Sequence, residues 1–220
     1  MKNNRSLIPH AVIILFTRYP QAGKVKTRLI RELGPKGAAK LHSKLTKQVI
    51  SNLRPLLPND FIQLRVSYCG GSKEEIQTWL GRDLPLERQQ GNELGERMLH
   101  AFEQAWEQGA KQVLLIGSDC PGINPAIIES GLKQLKTHDL VLGPAVDGGY
   151  YLIGLSACLK NRKQDYPALF QDITWGTAQV LQQTLDQAKG RNLSFALLPE
   201  LHDIDRPEDL VHLDYYTDSE

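Results

Sequence analysis

Cysteine is scarce in this sequence of 220 residues: Cys69, Cys120 and Cys158 stand far apart and form neither a disulfide framework nor a zinc-ligand pattern. They are expected as small buried residues. An excess of charge of one sign is lacking too. With 26 Lys and Arg against 25 Asp and Glu, the net charge is +1, which removes any global argument for a nucleic-acid or membrane-surface partner. An anion site therefore has to be local. Long apolar runs are absent: the longest, Ala11 to Phe16, is far too short to span a bilayer. The polar opening from Met1 to His10 lacks the apolar core of a secretion signal, so a cytoplasmic location is expected. There is no internal repeat, linker or low-complexity tract. A chain of 220 residues suits one α/β domain, residues 1–220, with a substantial core.

What is present is organised around Val113-Leu114-Leu115-Ile116, four apolar residues that predict a strand buried on both faces. Gly117-Ser118-Asp119-Cys120-Pro121 follows at its carboxyl end, where ligands sit in open α/β sheets. Asn124 and Pro125 read as a helix cap and first helical position, which confines Asp119 to a tight strand-to-helix turn. A carboxylate there can face a metal-bound diphosphate, or it can simply bond the amides of its own turn.

The local anion site is visible near the amino terminus. Ala11 to Phe16 predicts a buried strand, and the loop from Thr17 to Leu33 carries Arg18, Lys24, Lys26, Arg28 and Arg31. Pro20 and Gly23 shape the turn, and the cations fall where a first helix begins, so side chains and free amides can converge on one phosphate group; the alternative is a solvated basic loop, an odd use of five cations in so short a stretch. A P-loop is excluded by spacing, since Val25 and Pro20 stand where its glycines belong.

Further along, Lys36 to Ile50 has a helical stripe, and Ile62 to Tyr68 alternates as a strand with one wetter face. Ser72 with Glu75 forms a capping box for a helix through Leu80, and Leu86 to Gln90 is a short strand. Leu94 to Ala105 is a helix closed by Gly109. Gly95 in its first turn costs about 1 kcal/mol relative to Ala, which either a nucleotide lying against it or dense helix packing would explain. A helix from Pro125, a strand from Asp139 to Gly143 and a strand from Tyr150 follow. Between the last two, Asp147-Gly148-Gly149 allows positive φ and close ligand approach, or is a hairpin turn. Trp175 precedes a helix that stops at Gly190, as an acceptor-pocket wall or a hydrophobic staple. Leu193 to Leu198 is the next strand. Asp205 with Glu208 then has capping-box spacing, a role that suffices for Asp205 by itself, and Thr217 to Glu220 is expected to fray.

Taken in order, Lys24-Val-Lys26-Thr27-Arg28-Leu29, Leu94-Gly95-Glu96-Arg97-Met98, Gly117-Ser118-Asp119-Cys120-Pro121, Gly143-Pro-Ala-Val-Asp147-Gly-Gly-Tyr-Tyr151 and Asp203-Ile-Asp205-Arg-Pro-Glu-Asp-Leu210 resemble the nucleotide-diphospho-sugar transferase superfamily. The narrower resemblance is to a bacterial glycosyltransferase-like family labelled with arsenosugar biosynthesis. It implies a single-domain GT-A-like (Rossmann-like) three-layer sandwich with a mixed, mostly parallel central sheet. It implies Asp119 and Asp205 as ligands of Mg²⁺ or Mn²⁺. Cys120 and Pro121 leave no second Asp beside Asp119, and Arg206 stands where many relatives carry Thr. Arg18, Lys24, Lys26, Arg28 and Gly95 are the expected nucleotide and phosphate contacts, and Gly148, Gly149, Tyr150 and Trp175 the acceptor side. Asp147 is the expected base.

Three activities are compatible with that resemblance. The first is glycosyl transfer from a nucleoside-diphosphate sugar to a small acceptor. The second is nucleotidyl transfer from a nucleoside triphosphate with release of pyrophosphate, since the Lys24–Leu29 loop also resembles that of 2-phospholactate guanylyltransferases. The third is nucleotide binding without turnover, because fold alone does not fix function.

Overall fold

The computed structural model describes residues 10–213. Met1 to Pro9 and the expected frayed end, Thr217 to Glu220, lie outside the described residues. Runs of alternating or continuous apolar residues form seven strands: β1 (Ala11–Arg18), β2 (Ile62–Cys69), β3 (Leu86–Arg88), β4 (Gln112–Gly117), β5 (Leu140–Pro144), β6 (Tyr150–Ser156) and β7 (Phe195–Leu197). They pair in one sheet in the order β3-β2-β1-β4-β6-β5-β7. Only β6 runs antiparallel to its neighbours β4 and β5; the remaining pairs are parallel.

Both faces of the sheet are buried, and the period of two along β1 shows how. Ile13 and Leu15 pack with Leu64, Val66, Leu114 and Ile116 under Val49 and Leu53 of α1 (Ile30–Leu53), Ile76 of α2 (Lys73–Leu80) and Ile128 of α4 (Pro125–Gln134). Val12 and Ile14 pack on the other face with Val113, Leu115, Leu142 and Ile153. There they meet Met98, Phe102 and Ala105 of α3 (Leu94–Glu107) and Leu185 and Ala188 of α5 (Val180–Gly190). The result is the single-domain, three-layer α/β arrangement of the GT-A-like folds. Among the described residues no helix is long and apolar enough to cross a membrane.

The helix signals act as read. The Ser72 hydroxyl accepts from the Glu75 N–H at 3.2 Å while Glu75 accepts from the Ser72 N–H at 2.7 Å. Asn124 accepts from the Ile127 N–H at 3.1 Å, with Pro125 opening α4.

Four expectations are corrected. The loop after β1 is shorter than Thr17 to Leu33, because a 3-10 turn forms at Thr27–Leu29 and α1 starts at Ile30, breaking at Gly34 (φ 67°) ahead of Pro35. β2 has no wet face: Arg65 and Ser67 are buried, and Arg65 is neutralised by Glu87 of β3 at 3.2 Å. Of the cysteines only Cys120 is buried; Cys69 is half-buried and Cys158 exposed. The last element is a 3-10 helix, Pro207–His212, and it is not capped by Asp205.

Gly143 at the end of β5 lies flat against a neighbouring ring. A Cβ there would stand 2.4 Å from Cζ of Tyr151, which is buried and held by its hydroxyl donating to the Pro199 carbonyl at 2.9 Å. Gly143→Ala is therefore expected to cost about 1–3 kcal/mol as overpacking. Thermal denaturation should show a melting temperature lower by several degrees, and an unchanged value would mean that the ring is free to move aside.

Candidate functional site

The basic loop leaves β1 and turns at Gly23 (φ 81°), and Lys26 itself adopts the left-handed region (φ 48°) that an L side chain rarely occupies. The consequence is an inward-pointing lysine. Its side chain is only 2% exposed, and Nζ stands 2.9 Å from Oδ2 of Asp119 and 3.5 Å from Oδ1 of Asp205. Arg28, half exposed, places Nη1 2.6 Å from Oδ2 of Asp205. Four side chains from three distant segments thus converge beyond the carboxyl ends of β1 and β4.

A small apolar cluster and four hydrogen bonds to backbone carbonyls hold those segments in place. Ile204, fully buried between Asp203 and Asp205, packs with Leu29, Ala38, Leu41 and Leu45, which ties the basic loop and α1 to the carboxyl-terminal segment. The Ile204 N–H donates to the Asp119 carbonyl at 2.9 Å, and the Cys120 thiol donates to the His202 carbonyl at 3.1 Å. Asn52 clamps the turn after β4 by donating to the carbonyls of Pro121 and Ile123 at 3.0 and 2.9 Å. Capping falls to Asp209, whose Oδ2 accepts from the N–H groups of Asp205 and Arg206 at 2.9 and 2.6 Å. The Asp205 carboxylate is thereby left for Lys26 and Arg28, which corrects the capping role that its spacing to Glu208 suggests.

Two further residues of the site carry no strong sequence signal. His42 sits on the buried face of α1, donates from Nε2 to the Arg18 carbonyl at 2.9 Å, and brings Nδ1 to 3.6 Å from Asp119 Oδ1. In sequence it stands beside Leu41 in an ordinary helical stripe; the only available hint is an imidazole on the packed face. Asp203 faces the same cleft as Asp147 and Asp205, and the alternation Asp203-Ile204-Asp205, with the apolar residue turned inward, is the pattern that identifies it.

The electrostatics separate these carboxylates. Enclosure would raise the Asp119 carboxyl, but the Lys26 ammonium and the adjoining His42 outweigh it and hold Asp119 well below the usual carboxylate range. Burial, and then the charge of Asp147, push Asp203 up to about 6. Burial also pushes the Cys120 thiol up to about 12, so it is a structural donor and no nucleophile.

Asp147 links two cavities. One, of about 280 Å³, is polar and is bounded by Arg28, Asp203, Asp205 and Asp209; the other, of about 220 Å³, is mostly apolar and is bounded by Phe16, Met98, Tyr150, Trp175 and Val180. Asp147 is exposed at the tip of the β5–β6 turn, where Oδ1 accepts from the Gly149 N–H at 2.8 Å. Gly148 (φ 89°) is required there, since a Cβ would lie 2.3 Å from the Ala178 carbonyl oxygen at the approach to α5. Tyr150 and Trp175 meet edge to face with ring centroids 6.5 Å apart.

The expected residues therefore divide. Lys26, Arg28, Asp119 and Asp205 form one cluster, while Asp147, Gly149, Tyr150 and Trp175 line the apolar cavity beside it. Arg18 and Lys24 are exposed on the loop and join neither group; Arg18 Nη1 reaches only the Lys24 carbonyl, at 3.5 Å. At Gly95 a Cβ would stand 2.6 Å from the Phe170 carbonyl oxygen and 3.2 Å from the Trp175 ring, so helix packing is by itself a sufficient reason for the glycine.

For a divalent ion, no group of three or more His, Cys, Asp or Glu forms a cage among the described residues. Asp119 and Asp205 nonetheless converge on one cation, the Lys26 ammonium. Two carboxylates with the remaining positions left to phosphates and water is the usual provision for Mg²⁺, so this donor set fits such an ion.

The depressed Asp119 carboxyl has a consequence for stability. Its contribution is present above about pH 4, the unfolded value, and is lost as pH falls through the lower folded value. Asp119→Asn is expected to lose about 1 kcal/mol at pH 7, a figure reduced by screening because the side chain is 42% exposed. Urea titrations should show that deficit shrinking below about pH 4; a deficit independent of pH would remove the ion pair as its cause.

Comparison with known proteins places the family and the fold. The profile of a family described as an uncharacterized protein conserved in bacteria (DUF2064) matches residues 53–177. None of the curated proteins matches. Among solved structures, a protein of Desulfovibrio desulfuricans G20, provisionally named a nucleotide-diphospho-sugar transferase, is 32% identical with a TM-score of 0.83, covering 96% of this chain and 90% of that one. A Methanothermobacter nucleotidyl transferase is 16% identical with a TM-score of 0.64, covering 96% and 99%. The 4-diphosphocytidyl-2C-methyl-D-erythritol synthase of Anaerococcus prevotii is 10% identical with a TM-score of 0.58, covering 95% and 98%; these last two are likenesses of fold alone. With a profile matching more than half of the sequence and a relative aligned along nearly all of it, the chain belongs to the bacterial family DUF2064, on the fold of the nucleotide-diphospho-sugar transferases.

Proposed function

We propose that this chain is a cytoplasmic glycosyltransferase that moves a sugar from a nucleoside-diphosphate sugar to a small acceptor. The supporting observation is the meeting of Lys26, Arg28, Asp119 and Asp205 beside a cavity that shares Asp147 with them. A departing diphosphate gathers negative charge, and cations fixed in place before it departs stabilise it without reorganisation. Arg28 offers a planar fork suited to phosphate oxygens, and the exposed Arg18 and Lys24 extend the positive field along the same loop. Asp119 and Asp205 are the residues that would hold Mg²⁺ or Mn²⁺, which when bound supplies further neutralisation of the diphosphate. Asp147 takes the acceptor proton: its Oδ1 is fixed by the Gly149 N–H, which aims the carboxylate at the junction of the two cavities. The sequence resemblance to the family labelled with arsenosugar biosynthesis supports a sugar donor over a bare triphosphate.

Nucleotidyl transfer is the second reading, favoured by the Lys24–Leu29 loop and by the solved nucleotidyl transferase on the same fold. Product analysis divides the readings. Incubation with nucleoside-diphosphate sugars and Mn²⁺ is expected to release a nucleoside diphosphate. Pyrophosphate released from a triphosphate would establish the second reading instead, and tight donor binding with no product in either assay would leave a nucleotide-binding protein. Asp147→Asn, which preserves the turn acceptor, is expected to keep the donor-induced thermal shift while turnover falls about 10²–10⁴-fold. Turnover at the parental rate would remove Asp147 as the base.

A further inference from the structure

Resting on the glycosyltransferase reading, we infer that the acceptor is an alcohol without negative charge, built on a ring system and seated in the apolar cavity with its hydroxyl at Asp147. The walls are chiefly Phe16, Met98, Tyr150, Tyr151, Trp175 and Val180, with Thr177 beside them, its hydroxyl donating to the Thr174 carbonyl at 2.8 Å. Among the described residues no Lys, Arg or His lines the cavity, and Asp147 is its only carboxylate.

Neither tyrosine lends its hydroxyl to the cavity. That of Tyr151 is spent on the Pro199 carbonyl at 2.9 Å, and that of Tyr150 has less than 1 Å² exposed, enclosed near Thr184. The two residues therefore present ring surface. A polyol would leave most of its hydroxyls unmatched against those rings, at the cost of unmade hydrogen bonds. A phosphorylated or carboxylated acceptor would bring a second negative charge beside Asp147 with no cation in the lining to offset it.

Size narrows the class further. An engineered cavity of about 150 Å³ holds benzene, so about 220 Å³ accommodates a substituted or fused ring. Tyr150 and Trp175, standing edge to face at 6.5 Å, provide two perpendicular aromatic surfaces for it.

The position of the one carboxylate sets the chemistry. The acceptor oxygen forms a bond to the anomeric carbon, and the bond from that carbon to the diphosphate oxygen breaks, its electron pair leaving with the nucleoside diphosphate. The hydroxyl proton passes to Asp147. Donor and acceptor then approach from the two cavities that Asp147 separates.

The test is calorimetric titration of the parental protein, without donor or metal, with three probes: 2-naphthalenemethanol, 2-naphthoate and myo-inositol. The alcohol is expected to bind at least about tenfold more tightly than each of the others, roughly 1.4 kcal/mol. Equal binding of all three, or tighter binding of the carboxylate or the inositol, overturns the inference. Val180→Phe, which fills the cavity, is expected to abolish binding of the alcohol while leaving the thermal shift with a nucleoside diphosphate in place. Retained binding in that variant overturns the assigned position. If the variant does not melt cooperatively, the probe series on the parental protein still decides. Because these measurements use no donor, their failure leaves the glycosyltransferase reading standing, and release of pyrophosphate in the product assay would sink that reading without touching the ligand preference.

Discussion

The buried ammonium of Lys26, shared between Asp119 and Asp205, is the interaction on which the arrangement of the cleft depends. Two carboxylates from segments 86 residues apart in sequence can stand this close because a cation lies between them and offsets their repulsion. The lysine in turn reaches that point only through a left-handed backbone conformation that costs free energy. The neighbouring apolar cluster around Ile204 offsets that cost and fixes the loop. Charge pairing and hydrophobic burial are thus coupled within a few residues: Ile204 is buried in the same short stretch that presents Asp203 and Asp205 to the cleft.

Most strands were legible because they are apolar runs with the period of their environment, and the caps at Ser72 and Asn124 were legible because capping is a local matter of three or four residues. The charged cluster around Lys26 and Arg28 was legible in part from the density of cations in one loop. Long-range competition was not. Asp205 and Asp209 are both in reach of the same free amides, and nothing in spacing says that Asp209 takes them and releases Asp205. The dryness of Arg65 depends on Glu87 arriving from another strand, and the purpose of Gly95 on Phe170 and Trp175 folding back across α3. His42 was hidden for a related reason, since its partner, Asp119, is 77 positions away.

The same sheet serves nucleotidyl transferases that share a tenth to a sixth of their residues with this chain, so the architecture alone does not select a reaction. Selection lies in what lines each side of Asp147. One side has arginine and carboxylates; the other has rings and aliphatic groups. A cleft divided in this way offers opposite physical surroundings on its two sides, one governed by charge and one by exclusion of water.

The reversed strand β6 gives that division a structural origin. Because it runs against β4 and β5, it begins where the parallel strands end, and the tight turn feeding it emerges at the same rim. The carrier of Asp147 is consequently a hairpin tip, a place where chains lengthen and vary without disturbing the framework beneath. Divergence among descendants of this scaffold can therefore proceed on the apolar half alone, by rewriting one short bend while the charged half is inherited intact.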